Sequence, residues 1–134
     1  MKQRDIQHKI DFLIDNFEKL RRLKKYSLDE LLSHFERVAS VLHRLQTTIE
    51  ALLDIGRYII SSLGLRIPTT SAEVIDILKD ESLIPEKEVR GYIEMIGFRN
   101  RVVHEYNTVD VSELYEILHK ESGDLKKLYT RLSM

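Results

Sequence analysis

The sequence predicts an all-α protein, an up-and-down bundle of about four main helices plus one short helix. Three observations predict it. Apolar residues recur at steps of three and four along most of the chain, and no stretch shows strand alternation. Only 5 glycines and 2 prolines occur in 134 residues, and Pro68 and Pro85 both lie in the middle third, where they punctuate helices rather than fill loops. Capping residues stand where the apolar periods begin.

The first helix places Ile6, Ile10, Leu13, Ile14, Phe17, Leu20 and Leu23 on one face and ends in the basic run Lys19 to Lys25. Ser27-Leu28-Asp29-Glu30 then reads as a capping box. The Ser27 hydroxyl and the Glu30 carboxylate each satisfy an orphan backbone donor, so a second helix starts near Leu28. Its apolar positions Leu31, Phe35, Val38, Leu42, Leu45, Ile49, Leu52, Ile55, Ile59 and Leu63 continue without a break, predicting one long helix that ends at Gly64. Leu65 to Ser71 is a connector, because Pro68 pushes Ile67 out of the helical region and Ser71 can cap the next helix. A short helix from Ala72 to about Lys79 fits. Pro85 suits a first helical turn, with Glu86 and Glu88 at the favourable positive end of the dipole, and that helix runs to about Tyr106. A last helix starts around Asp110 to Ser112, with Leu114, Ile117, Leu118, Glu121, Leu125, Leu128 and Leu132 on one side. No repeat or low-complexity tract divides the chain, so residues 1–134 read as a single domain.

Composition narrows the function. Lys+Arg 21 against Asp+Glu 22 gives a net charge of −1, which argues against general polyanion coating and leaves any nucleic-acid contact to a local cluster. Cys 0 excludes disulfides and cysteine-based zinc sites. No run approaches the ~18 apolar residues of a membrane span, and the charged N-terminus is unlike a secretory leader, so the expected location is the cytoplasm with no membrane partner. No glycine-rich phosphate loop and no Gly-x-Ser-x-Gly elbow occurs, which leaves kinase, dinucleotide and serine-hydrolase readings without support. His8, His34, His43 and His119 lack metal-ligand spacing, and no metal or cofactor is expected. The basic run Lys19, Arg21, Arg22, Lys24, Lys25 is either an RNA-contacting patch or a solvated helix end.

The helix from Glu86 to Tyr106 breaks its own pattern. At about 100° per residue, Val89, Tyr92, Ile93, Ile96 and Val103 share one arc with Arg99, Asn100 and Tyr106, and His104 lies at its edge, whereas Glu94, Arg101 and Glu105 point the other way. Arginine and asparagine turned towards a neighbouring helix are costly unless paired. There are two readings. In one, Arg99 pairs with a carboxylate such as Asp54 of the long helix in an internal network. In the other, the cluster is an anion site: arginine offers a planar fork of donors for phosphate, histidine with a pKa near ~6.5 can move a proton at neutral pH, and asparagine can orient either. Arg99 and His104 diverge by roughly 140° on one straight helix. Two copies facing each other across a twofold axis would assemble the site, which makes a homodimer the natural form.

Phe98-Arg99-Asn100-Arg101-Val102-Val103-His104-Glu105-Tyr106 resembles the Arg-Asn-x-x-x-His-x-Tyr motif of HepT-like proteins, in the HEPN superfamily of small all-helical ribonucleases. Asp54-Ile55-Gly56, Leu63-Gly64-Leu65 before Pro68, the Leu83-Ile84-Pro85 turn and Val109-Asp110 stand in the order typical of that family, so the likeness covers roughly Leu45 to Leu118. The resemblance implies a toxin of a two-gene toxin–antitoxin system, acting as a homodimer that cleaves RNA (tRNA or mRNA) without a metal. Arg99 would stabilise charge on the scissile phosphate, His104 would be general acid/base for attack by the ribose 2′-OH, and Asn100 would hold the geometry, with Asp54 and Tyr58 in support. The products would carry 2′,3′-cyclic phosphate and 5′-OH ends. The implied partner is an MntA-like minimal nucleotidyltransferase antitoxin that AMPylates the motif tyrosine, Tyr106. Many relatives carry His four residues after the Asp of the long helix, where this chain has Tyr58. Arg101, often an apolar residue in relatives, is expected to be a surface charge. The alternative is a non-catalytic HEPN module that binds a nucleotidyltransferase or nucleotides; a purely structural helical dimer is a third reading.

Overall fold

The computed structural model describes residues 3–104 and 110–133, with the side chains of residues 3, 4, 103, 104 and 121 left out of the description. Among the described residues there is no strand. The helices are α1 (Gln3–Leu23), α2 (Leu28–Ser33), α3 (Phe35–Ser62), α4 (Ser71–Asp80), α5 (Glu86–His104), α6 (Val111–Glu116) and α7 (Ser122–Leu132), with a π-helical turn at Ile117–Glu121 joining the last two. The central rod is α3, which packs against each of the other six. The predicted set of four main helices and one short one is therefore present, with two of the main helices interrupted.

The first interruption corrects the expectation of a single helix from Leu28. The Ser27/Glu30 capping box forms as predicted, but the backbone is extended at His34 (φ −137, ψ 110), ending α2 after six residues. Ser33 Oγ donates to the Asp29 carbonyl and Arg37 Nη1 to the Glu30 carbonyl, so side chains serve the end of α2. Apolar spacing cannot register this break, because the chain resumes in phase at Phe35. The cost to the apolar face is local: Phe35 is 75% exposed. The second interruption is the π turn, where Ser122 Oγ donates to the Leu118 carbonyl. It leaves the predicted face intact, since Leu114, Ile117, Leu118, Leu125, Leu128 and Leu132 are all buried.

Two further corrections concern polarity and caps. Ile14, expected in the core, is 52% exposed, while Asn16 is fully buried. The Asn16 amide donates to Thr47 Oγ1 (2.9 Å) and Thr48 Oγ1 (3.2 Å), and its Oδ1 accepts from Arg44 Nη1 (2.8 Å). A satisfied polar network thus replaces an apolar contact between α1 and α3. The cap of α4 is Thr70, whose hydroxyl accepts from the Glu73 backbone N–H; Ser71 is the first helical residue. Gly64, at φ +69, closes the end of α3 in the left-handed conformation that glycine adopts without a Cβ penalty.

The α3–α4 packing positions the site. A Cβ on Gly56 would stand 2.8 Å from Val74 Cγ1 and 3.3 Å from Leu78 Cδ1, so glycine lets α4 settle directly onto α3. That approach brings the first turn of α4 beside Arg57.

Candidate functional site

The buried face of α5 is formed by Tyr92, Met95, Ile96, Phe98 and Val102. It is rotated from the expected arc towards Met95 and Phe98, which keeps Arg99 on the inward side and corrects the placement of Asn100. Arg99 falls inside the buried face and is only partly accessible, whereas Asn100 is exposed. Arg99 Nη2 donates to Ser71 Oγ at 3.0 Å, and Arg99 Nε is buried with no partner among the described residues. The pairing of Arg99 with Asp54 that the internal-network reading allowed does not form. Asp54 Oδ2 instead accepts from Lys9 Nζ at 2.9 Å, and Oδ1 from Arg57 Nη1 at 3.3 Å.

Arg57 completes the cluster. Its Nη2 donates to the same Ser71 hydroxyl at 3.2 Å, so Lys9, Asp54, Arg57, Ser71 and Arg99 form one line of polar contacts across α1, α3, α4 and α5. The loop before α4 leaves Ser71 available for this. The Thr69 backbone N–H and hydroxyl bind the two Glu73 carboxylate oxygens at 2.8 and 2.9 Å, while Thr70 caps the helix. The Thr69 backbone bond, then its hydroxyl, holds the Glu73 carboxyl below its ordinary range. That carboxylate is thus occupied by the cap. Ser71 could be read from sequence only as a cap, because its contact with Arg99 spans 28 residues of chain. Arg57 flanks Gly56 beside Tyr58, a position that makes it a cleft-lining candidate by sequence, but its contact with Ser71 spans 14 residues and is set by the fold.

Tyr58 is partly buried against the core. His104 ends α5, and its side chain lies outside the described residues, as does Tyr106 altogether. Arg101, expected as a surface charge, is partly exposed and paired with Glu113, tying α5 to α6. It lines a groove of about 500 Å³ between those helices, with Gly97, Glu113 and Lys120, and Arg99 is not among the lining residues. In the basic run, Lys19 pairs with Asp15, and Arg21 and Arg22 pair with Glu18, which favours a solvated helix end for those residues. His119 bridges the Tyr115 and Lys24 backbones. Among the described residues, no group of three or more His, Asp or Glu is placed to hold a metal ion. No helix there is long and apolar enough to cross a membrane.

Residues 13–132 match the model of a family described as Ribonuclease HepT-like, extending the likeness well beyond the motif into α1 and α7. The chain belongs to the HepT-like family. A tRNA nuclease HepT of Aphanizomenon flos-aquae is 30% identical over 111 residues, which cover 82% of this chain and 75% of that protein. The solved structure of a tri-AMPylated Shewanella oneidensis HEPN toxin in complex with MNT antitoxin matches with a TM-score of 0.87, covering 99% of this chain and 98% of that one at 22% identity. YutE from Bacillus subtilis, described as a cytosolic protein of unknown function, matches with a TM-score of 0.82 at 21% identity, covering 98% of this chain and 88% of its own. The two structures share this fold, and the family is that of HepT-like ribonucleases.

Proposed function

We propose that this chain is the toxin of a toxin–antitoxin pair, a homodimeric endoribonuclease of the cytoplasm that cuts RNA without a metal. The observation that carries this reading is the position of Arg99. It is set into the buried face of α5 and anchored through a single Nη2 contact, with its Nε unpaired among the described residues, five positions before His104. A guanidinium held this way is pre-oriented; its Nε is buried, and Nη1, which makes no hydrogen bond among the described residues, is the donor left for phosphate.

The chemistry is transesterification. The ribose 2′-oxygen attacks the scissile phosphorus, the P–O5′ bond breaks, and the products are a 2′,3′-cyclic phosphate and a 5′-OH. Arg99 stabilises the negative charge gathering on the non-bridging oxygens. His104 takes the 2′-OH proton or gives one to the departing 5′-oxygen, and in a twofold dimer the two copies of His104 divide these roles. Asn100, exposed beside Arg99, orients the phosphate or the imidazole. Asp54 acts through Arg57, and Tyr58 supports that wall of the cleft. The open space around Gly97 and the exposure of Asn100 on the outer face of α5 suit approach by a second copy. The antitoxin is an MntA-like nucleotidyltransferase that AMPylates Tyr106, placing phosphate-bearing groups where RNA would bind. Support for partner and substrate comes from the Shewanella toxin solved with MNT antitoxin and from the relative named as a tRNA nuclease.

The test is incubation of partner-free protein with a labelled tRNA pool in EDTA, alongside His104→Ala and Arg99→Ala. Cyclic-phosphate ends from wild type alone are expected. Failure to cut by protein whose intact mass shows Tyr106 unmodified would replace this reading with the non-catalytic binding module.

A further inference from the structure

Arg57 and Arg99 come from different helices yet donate to one hydroxyl, that of Ser71, at 3.2 and 3.0 Å. Their donating nitrogens are therefore no further apart than the sum of those lengths, 6.2 Å. Two like charges held this close repel, and the compensation on hand is small. Among the groups joined by hydrogen bonds, Lys9, Arg57 and Arg99 contribute three positive charges and Asp54 one negative, a surplus of two, with Glu50 near only the Lys9 end. Glu73, the nearest other carboxylate along α4, is occupied by Thr69 and lies 3.6 Å from Arg66.

The Ser71 hydroxyl accepts from both guanidinium groups, which fills its two lone pairs and leaves it one proton to give. Among the described residues no acceptor takes that proton. An anion joining this cluster would accept that proton and offset the surplus positive charge. Arg57 has the access to receive one, because its side chain is 41% exposed.

Resting on the ribonuclease reading, we infer that Arg57 is a second phosphate-binding residue, that it takes the RNA phosphate next to the scissile one held by Arg99, and that Ser71 is the positioning residue that sets the spacing of the two. Ser71 occupies the point where the two donating nitrogens converge, so a single phosphate cannot take that point while the hydroxyl stays. Neighbouring phosphates of one strand can sit one on each guanidinium, with the hydroxyl between them.

The experiment measures binding of a fully 2′-O-methylated RNA oligomer, which cannot undergo 2′-OH attack, across a salt series, together with cleavage of unmodified tRNA. For single-stranded RNA each phosphate contact adds about 0.7 to the slope of log K against log salt. Arg57→Gln is expected to reduce the slope by about 0.7 and to raise KM about tenfold, the worth of one charge-assisted contact. Arg57→Lys keeps the charge and should retain the slope. Arg90→Gln, whose side chain is 91% exposed, makes the same change in net charge and should leave the slope as in wild type. Ser71→Ala should lower kcat, and Ser71→Thr should restore it. A wild-type slope in Arg57→Gln, or the same loss in Arg90→Gln, overturns the inference while the ribonuclease stands. Wild type that neither cuts tRNA nor binds the oligomer overturns the ribonuclease reading and this inference with it.

Discussion

Replacing Gly56 by alanine sets two effects of known size against each other. Alanine in a helix interior is about 1 kcal/mol more favourable than glycine. Against this, the new methyl would stand 2.8 Å from Val74 Cγ1 and 3.3 Å from Leu78 Cδ1. Both neighbours are 1% exposed, and Val74, being β-branched, is stiff at χ1, so neither can move aside cheaply. Overpacking of this kind costs about 1–3 kcal/mol, leaving Gly56→Ala destabilised by about 1 kcal/mol. Gly123→Ala in α7 is the control, because nothing lies within 4 Å of its Cβ and the full gain of about 1 kcal/mol should appear. The two variants should thus differ by about 2 kcal/mol in urea unfolding at unchanged m-value, or very roughly 6–10 °C in Tm for a chain of this size. Because α4 carries Ser71, the α4 shift in Gly56→Ala should also slow tRNA cleavage at temperatures where the variant is fully folded. Stabilisation of Gly56→Ala equal to that of Gly123→Ala, with normal cleavage, would refute the tight α3–α4 approach and its role in seating the site.

Asn16→Ala removes the shared partner of Thr48 and Arg44 in a fully buried position, and should cost about 1–3 kcal/mol in urea unfolding; a loss under about 0.5 kcal/mol would mean that the network is dispensable. Thr70→Ala deletes the cap of α4 and should cost about 1 kcal/mol, with the amides of α4 showing faster hydrogen exchange before those of α3. Glu88 is held below its ordinary 4.5 by hydrogen bonding from Arg131 first, against burial, with Tyr92 adding a further bond. A carboxylate whose folded pKa is depressed stabilises above its unfolded value, and that contribution is lost as pH falls through the folded one. The stability gap between wild type and Glu88→Gln should therefore be full at neutral pH and shrink once pH drops below about 4.5. A gap that stays constant down to about pH 3 would contradict the ion pair.

The apolar period of the chain determined the helical class, the number of main helices and most of the buried face of α3, since a residue's place on a helix follows from its position in the sequence alone. The same local rule located the capping box at Ser27, the helix starts at Leu28 and Val111, and Arg99 on the inward side of α5. The break at His34 escaped it because apolar phase is preserved across the kink, and the fully buried Asn16 because a polar residue enters a core only when partners from another helix satisfy it. The motif made Arg99 a candidate, but its anchor was decided in three dimensions. Asp54, the nearer guess by charge, is drawn off by Lys9 and Arg57, and a serine 28 residues away takes its place. Long-range hydrogen bonds of this kind depend on how closely α4 can lie on α3, which rests on one missing Cβ at Gly56. Helical periodicity describes how a residue is oriented about its own axis; the distance between two axes is decided by the side chains that meet there.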